Sequence, residues 1–528
     1  MARLVERPPE VFELMEEQVC GPSRTEQNGQ GVEARVIQRR IPRHPLSRVV
    51  AGWALAIGLT AIACSDPSSD SDRGSRSTSR PGAESPIGSA PADFTCDGCN
   101  VILVVSDTMR AQQLGLYGYE RDTSPFLDGL GEDGAYFAHA MSQAACTYPS
   151  GHSILTSRYP FNFLGKQTNN IPPEIPMISE IFSEHGYRTV GISGSPIIVQ
   201  EQNEFSNGGF DRGFDVWEKC ECLGPGCTWK FTPHADCING HAIREIEAAR
   251  DEPLFLYLHY MDAHTPLLAP ETTFSKAYKG NKDWISGGVM NPLERMIYSG
   301  GEAITLDPGD MEHLRDLYDD EVRYFDSALG SLLEALDDRG MTNDSIVVVA
   351  ADHGEEFLEH ESVKHCHTLY DTETATPLII RIPGVRAGRI EHVVENNDIL
   401  PTLLDYVGID TSAYAFDGVS LRPSLTGGPP PRAFAFSSQN ELRALSTGRY
   451  HLIYDIGTKE ARLFDRDAGD GETRDQFDPT LEEHATLLGV LQRWLASVEG
   501  MKSEGDLEKA RDVSNQTLDH LRTIGYIE

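Results

Sequence analysis

The sequence predicts an α/β body with a mostly parallel central sheet flanked by helices, followed by a smaller C-terminal α+β subdomain. Three observations support this. The apolar, largely β-branched runs at 101–105 and 345–350 have the composition of strands buried on both faces. Strand-like and helix-like stretches alternate between them, the order expected of a parallel sheet. From about residue 412 the rhythm changes, and 435–465 reads as short antiparallel strands.

In chain order, 176–185 reads as a helix with Pro176 in its first turn, and 188–192 as a strand. Residues 238–249 form a helical pattern and 254–260 a strand. Residues 311–339 carry a long apolar period near 3.6, and 376–382 is a further strand. An amphipathic helix at 481–498 and a second helical stretch end the chain. These readings divide the chain into an N-terminal extension and signal (1–64), a Ser-, Asp- and Pro-rich flexible linker (65–95), a main domain (96–411) and the C-terminal subdomain (412–528).

The chain has 528 residues, 39% of them hydrophobic and 24% charged, which suits a soluble globular body. Its formal net charge of −36 excludes a nucleic-acid partner, because a phosphate backbone needs a basic footprint. The N-terminus differs from the rest. Five arginines within 35–48 precede the uncharged run VVAGWALAIGLTAIA at 49–63, and Cys64 follows at once. The run is shorter than the roughly twenty residues of a membrane span. A basic flank, an apolar core and small residues at Ala61 and Ala63 make an export signal. Ala61-Ile62-Ala63-Cys64 resembles a bacterial lipoprotein box. The expectation is a cell-envelope protein, periplasmic or tethered through a lipid at Cys64, with that tether as its only contact with membrane.

The chemistry sits at strand ends, where ligands bind in open α/β sheets. Asp107 directly follows the first buried strand, and Asp352-His353-Gly354 follows the strand at 345–350. If those strands are neighbours, two carboxylates and an imidazole converge, a donor set for a divalent cation. The third element is Cys146-Thr147-Tyr148-Pro149-Ser150-Gly151-His152, placed just before an apolar helical stretch. A hydroxyl at a helix start beside a metal is well placed to act as a nucleophile. An ordinary capping residue is the alternative.

Several segments together resemble the sulfatases of the alkaline phosphatase superfamily. They are NVILVVSDTMR at 100–110, GLYGY at 115–119, TSPFLD at 123–128, IVVVAADHGEEF at 346–357, HCHTLYD at 365–371, DILPTLL at 398–404 and LRTIGY at 521–526. The resemblance implies the alkaline-phosphatase-like fold and hydrolysis of a sulfate or phosphate ester carried by a small molecule, glycan or lipid headgroup. It places Asp107, Thr147, Asp352 and His353 on one or two divalent metal ions. It gives catalytic roles to Thr147, to His264 in YMDAHTP, and to His365, which stands where the family has a Lys or His at the ester. His367 and Arg110 are further substrate-binding candidates.

Two departures bear on the chemistry. Family members that cleave sulfate esters usually carry Cys-x-Pro-x-Arg, whose cysteine becomes formylglycine. Here Thr147 stands two residues before Pro149, Gly151 replaces the arginine, and Cys146 is out of register by one. Superfamily members with Thr or Ser at that position use the hydroxyl itself on phosphorus. Thr108 stands where many sulfatases have a second Asp. A sulfatase-like site implies Ca²⁺, whereas fewer carboxylates and a histidine ligand favour Zn²⁺ or Mn²⁺. Two other readings follow from the same residues. One is a transferase, similar to the phosphoethanolamine transferases, that moves a phosphoryl-type group onto an envelope glycan or lipid. The other is a non-catalytic binding protein with this fold.

Eight cysteines follow Cys64. Cys220, Cys222, Cys227 and Cys237 could hold zinc, but an exported chain favours disulfides, and sequence leaves their three pairings open. Cys96 and Cys99 read as a local disulfide. Cys146 and Cys366 both fall in loops that the resemblance brings to the site, which implies a disulfide there.

Overall fold

The computed structural model describes residues 94–160, 171–201, 208–221, 234–249, 252–265, 267–277 and 308–499. The signal, most of the linker, Cys222, Cys227, the final helical stretch and the 521–526 motif lie outside them.

The central sheet runs through β1 (Asn100–Ser106), β2 (Ala135–Met141), β3 (Arg188–Ser193), β4 (Val216–Lys219), β5 (Leu254–Tyr260) and β6 (Ser345–Ala351). A small hairpin, β7 (Glu356–Phe357) with β8 (Val363–Lys364), follows the last of these. The sheet is completed by β9 (Ala375–Thr376), β10 (Leu378–Arg381) and β11 (Gly388–Glu395). Its order is β11-β2-β10-β6-β1-β5-β3-β4, with β9 on β2.

The pairs β6–β1, β1–β5, β5–β3, β3–β4 and β2–β11 are parallel. Strand β10 is antiparallel to both of its neighbours. The chain passes from β6 to β10 through the β7–β8 hairpin, the one-turn helix Asp371–Thr374 and β9 rather than a long crossover helix, which permits the reversed direction. The run read at 376–382 therefore divides between β9 and β10. Strands β2, β4 and β11 were not legible in the sequence. AYFAHAM mixes small and polar residues, and GRIEHVVE is an edge strand carrying charges.

Burial on both faces explains the apolar runs. Val101, Leu103 and Val105 join one core with Phe137, Leu400 and Leu403. Ile102 and Val104 point the other way, into a core with Tyr318, Val322 and Phe325. Each such side chain contributes about 1.5–3 kcal/mol on leaving water. The second core is closed by the long helix Pro308–Asp338, whose stripe Leu314, Tyr318, Val322, Phe325, Leu329, Leu332 and Leu336 recurs every three or four residues. Acidic side chains of this helix hold neighbouring backbone. Asp326 accepts from Phe126 N (3.0 Å) and Leu127 N (2.8 Å), capping the helix Pro125–Asp133. Asp320 accepts from Thr273, Phe274 and Ser275 N at 2.6–3.1 Å.

A second, antiparallel sheet contains β12 (Ala435–Gln439), β13 (Leu442–Ser446), β14 (Tyr450–Asp455) and β15 (Ala461–Asp465). One face packs Phe436, Leu445, Leu452 and Leu463 against Leu487, Val490 and Leu491 of the helix Glu482–Glu499. The other face lays Ala444, Ile453 and Phe464 on Ala145, Leu369 and Tyr370. Residues 416–425 still belong to the main core, so the second core begins near Phe434. This sheet therefore braces the two loops that hold Thr147 and His365.

Candidate active site

Strands β1 and β6 lie side by side with Ser106 opposite Ala351. That register brings Asp107 and Asp352 together just beyond the strand ends, as the expected convergence requires. The ligating atoms of Asp107, Asp352 and His353 lie within 4.8 Å of one another, and all three residues are buried. His353 Nε2 is 3.8 Å from Asp107 Oδ1 and 3.6 Å from Asp352 Oδ2. Asp352 is fixed through its other oxygen, which accepts from Thr108 N (3.1 Å) and His353 N (2.8 Å). Asn396 Nδ2 donates to Ala351 O at 2.8 Å, and Ser142 Oγ donates to Asp352 O.

These residues fit a cation. Asp107 Oδ1 and Asp352 Oδ2 are buried carboxylate oxygens with no hydrogen-bond partner, an arrangement that is unfavourable unless a positive charge sits between them. Burial pushes the Asp352 carboxyl up to about 6, and the Asp107 charge adds to the effect. His353 Nδ1 lies 2.9 Å from Gly354 O, so that nitrogen carries the proton and Nε2 presents a lone pair to the cluster.

Thr147 is the first residue of the helix Thr147–Thr156 and is buried. Its hydroxyl reaches His353 Nε2 at 3.2 Å and Asp107 Oδ2 at 3.4 Å. It is thus directed at the carboxylate–imidazole cluster and not at the helix backbone as a cap would be. Cys146 Sγ is bonded to Cys366 Sγ, as the resemblance implied. That bond leaves no thiol at 146 for conversion to formylglycine.

The histidines divide. His365 stacks obliquely on His353, with ring centroids 4.6 Å apart, and His264 is 5.1 Å from His365. Burial holds His365 well below the ordinary imidazole range, with His353 adding to it, and pushes His264 down to about 4. Both are neutral near pH 7. His367 is exposed, and its backbone N–H bonds Glu373 Oε2 at 3.3 Å. Arg110 is buried, and its guanidinium donates to Glu355 O (3.2 Å) and Glu359 Oε1 (2.8 Å). Arg110 therefore fastens the loop behind His353.

Two further residues were not singled out in the sequence. His259, near the end of β5, has Nε2 3.4 Å from Asp107 Oδ2 and Nδ1 3.0 Å from Tyr257 OH. Glu355 Oε1 is 3.2 Å from His365 Nδ1, and burial pushes its carboxyl up to about 7. A histidine in the otherwise apolar LFLYLHY was the available signal for the first. Nothing in GEEF distinguishes Glu355 from its neighbour.

Gly354 is required by close approach, since a Cβ there would meet Thr372 O at 2.0 Å. Gly354→Ala is expected to destabilise the fold by about 1–3 kcal/mol in urea unfolding and to weaken metal binding, because the backbone beside His353 must move.

Among the described residues, two other clusters bring potential ligand atoms together. Cys220 and Cys237 are bonded to each other, so neither offers a thiolate beside His241. Asp371, His451 and Glu472 already surround a cation, since Arg466 holds both Asp371 oxygens at 2.6 Å. His451 lies 2.6 Å from Glu472 and 3.0 Å from Asp371, and although burial opposes its charge these carboxylates push it up to about 9. A folded-state value above the unfolded ~6.5 means stability that is complete below about 6.5 and lost as pH rises through 9. The expected loss over that window is on the order of 3 kcal/mol. Comparing urea midpoints of wild type and His451→Gln at several pH values checks it. The variant should lack this decline.

The family model described as Sulfatase matches residues 99–409. The chain is 24% identical over 326 residues to an ulvan-active sulfatase from Formosa agariphila, a match spanning 58% of this chain and 61% of that protein. It is 24% identical to the multifunctional alkaline phosphatase superfamily protein PehA from Trinickia caryophylli, over 63% of this chain and 78% of that one. Among solved structures it shares the fold of a phosphonate monoester hydrolase from Silicibacter pomeroyi, with TM-score 0.61 and 22% identity over 77% of this chain and 96% of that one. The strand-end carboxylates and the extent of the family match together place this chain in the sulfatase family of the alkaline phosphatase superfamily. Among the described residues no helix is long and apolar enough to cross a membrane.

Proposed function

We propose that the chain is a metal-dependent hydrolase of sulfate or phosphate esters in which Thr147 is the nucleophile. One observation supports this most directly. The Thr147 hydroxyl points into a buried cluster whose two outward carboxylate oxygens have no partner. Asp107, Asp352, His353 and Thr147 would hold the ion, and two carboxylates with one imidazole suit Zn²⁺ or Mn²⁺ better than Ca²⁺. When bound, a divalent cation supplies the charge that favours ionisation of the hydroxyl and offsets the ester's non-bridging oxygens.

The chain's own groups account for the rest. The Thr147 hydroxyl gives up its proton to solvent, and Oγ1 forms a bond to sulfur or phosphorus as the bond to the leaving oxygen breaks. Glu355, whose carboxyl burial pushes up to about 7, lies 3.2 Å from His365 Nδ1 and in its protonated form donates there, leaving His365 an N–H at Nε2 for that oxygen. Water then displaces the threonine ester, passing a proton back to the Glu355–His365 pair, and Oγ1 regains its proton from solvent. Export and tethering at Cys64 would place the reaction in the cell envelope, on a sulfated or phosphorylated small molecule, glycan or lipid headgroup.

The test is a panel of aryl sulfate, phosphate monoester, phosphate diester and phosphonate monoester with metal-loaded protein, quenched in acid and peptide-mapped. Metal-dependent turnover of at least one class, with sulfo- or phosphothreonine at 147, is expected. An adduct on another residue, or no turnover of any class, removes the proposal. Label from the ester appearing on an added alcohol instead of water would favour the transferase reading.

A further inference from the structure

Thr147 and His365 stand on two loops joined by one covalent bond. Cys146 immediately precedes Thr147 and Cys366 immediately follows His365, and their sulfurs are bonded across a sequence separation of 220. The loops also meet through backbone, since Cys366 N donates to Ala145 O at 2.8 Å. Gln439, at the end of β12, donates to Cys366 O at 3.0 Å and reaches Cys146 Sγ at 3.3 Å. Asn440 Nδ2 donates to the same carbonyl at 3.3 Å.

The His365 loop is held in a conformation it would not adopt alone. Lys364 (φ 66°) and Cys366 (φ 73°), which flank His365, both lie in the left-handed region. Non-glycine residues persist there only when their surroundings hold them. The bond from Cys366 to Cys146 is part of that restraint. If it opens, relaxation at 364–366 moves the imidazole relative to the Thr147 hydroxyl.

We propose that the Cys146–Cys366 disulfide is a positioning element for the reaction, setting His365 against Thr147, so that turnover depends on its oxidation. This rests on the reading of Thr147 as nucleophile and His365 as proton donor. It goes beyond ordinary stabilisation. A disulfide that only restrains the unfolded chain leaves the kcat of folded enzyme untouched, whereas a displacement near 1 Å between reacting groups costs up to about 10²-fold.

The full metal-loaded chain is treated with a water-soluble phosphine. The S–S bond breaks, both sulfurs leave as thiols, and the phosphine takes oxygen from water to become its oxide. Alkylation and peptide mapping show which bond opened, because Cys96–Cys99 and Cys220–Cys237 are also present. As Cys146–Cys366 opens, kcat should fall about tenfold or more. KM and metal stoichiometry should be unchanged, and reoxidation should restore the rate. The double variant Cys146→Ala/Cys366→Ala should share the low kcat, show a shifted pH–rate profile on the proton-donor limb, and be insensitive to phosphine. An unchanged kcat with the bond open, or a loss that tracks another disulfide, overturns the proposal. If the double variant does not fold, reduction of the folded wild type decides alone. Should Thr147→Ala retain turnover, the underlying reading fails; should it be inactive while the cysteine variant is unimpaired, only this inference fails.

Discussion

Thr147→Ala should lower kcat by about 10³-fold or more while leaving the protein folded and able to bind metal. Thr147 is buried, but its hydroxyl bonds only Asp107 and His353, at 3.4 and 3.2 Å, and it caps no backbone N–H. Removing it therefore deletes the attacking oxygen and one donor to the ion, with a stability change of about 1–2 kcal/mol. Thr147→Ser keeps the oxygen at the helix start and loses only the methyl that restricts its rotamer. It should stay within about tenfold to a hundredfold of wild type. The alanine variant with near-normal kcat, or both variants equally inactive, would sink the nucleophile assignment. Calorimetric metal titration separates lost chemistry from lost metal.

The parts of this site legible in the sequence were those set by a single strand and the residue after it. VILVV and IVVVA announce strands buried on both faces, and Asp107 and Asp352 sit where such strands end. Their convergence depends on β1 pairing with β6, which no local pattern encodes. His259 shows the limit. It reaches Asp107 only because β5 lies beside β1 with His259 opposite Val105. In a strand otherwise composed of Leu, Phe and Tyr it reads as one more core position. Glu355 and Glu356 are chemically identical in sequence, yet the former meets His365 and the latter His360 and Thr372. Thr147 by itself reads as an ordinary helix start, and the resemblance singled it out. Both β2 and β11 lack a legible alternation, since β2 buries small Ala135 and Ala140 beside Phe137 and β11 carries exposed Arg389 and Glu391 around Ile390.

Asp352→Asn separates the metal's contribution from the fold's. Asp352 Oδ1 accepts two backbone N–H groups, and an amide oxygen can accept both, so the loop should keep its shape. The partnerless Oδ2 becomes an NH₂, which turns donors toward the ion's position. Metal affinity should fall by about 100-fold or more, and turnover with it at limiting metal. Without metal the sign reverses. Burial and the Asp107 charge push the Asp352 carboxyl up to about 6, so the ionised group opposes folding. That penalty is absent below about 4, grows as pH rises toward 6, and is on the order of 1–3 kcal/mol at neutrality. In chelator at pH 7, Asp352→Asn should therefore melt above wild type. In saturating metal the order should invert, because only the wild type gains binding energy that adds to stability. Thermal melts of both proteins in the two conditions test this. Identical metal affinities, or a variant less stable than wild type in chelator, would show that the unpaired oxygens of Asp107 and Asp352 are not kept for a cation. The inversion would instead mark them as a destabilising arrangement retained for the metal they bind.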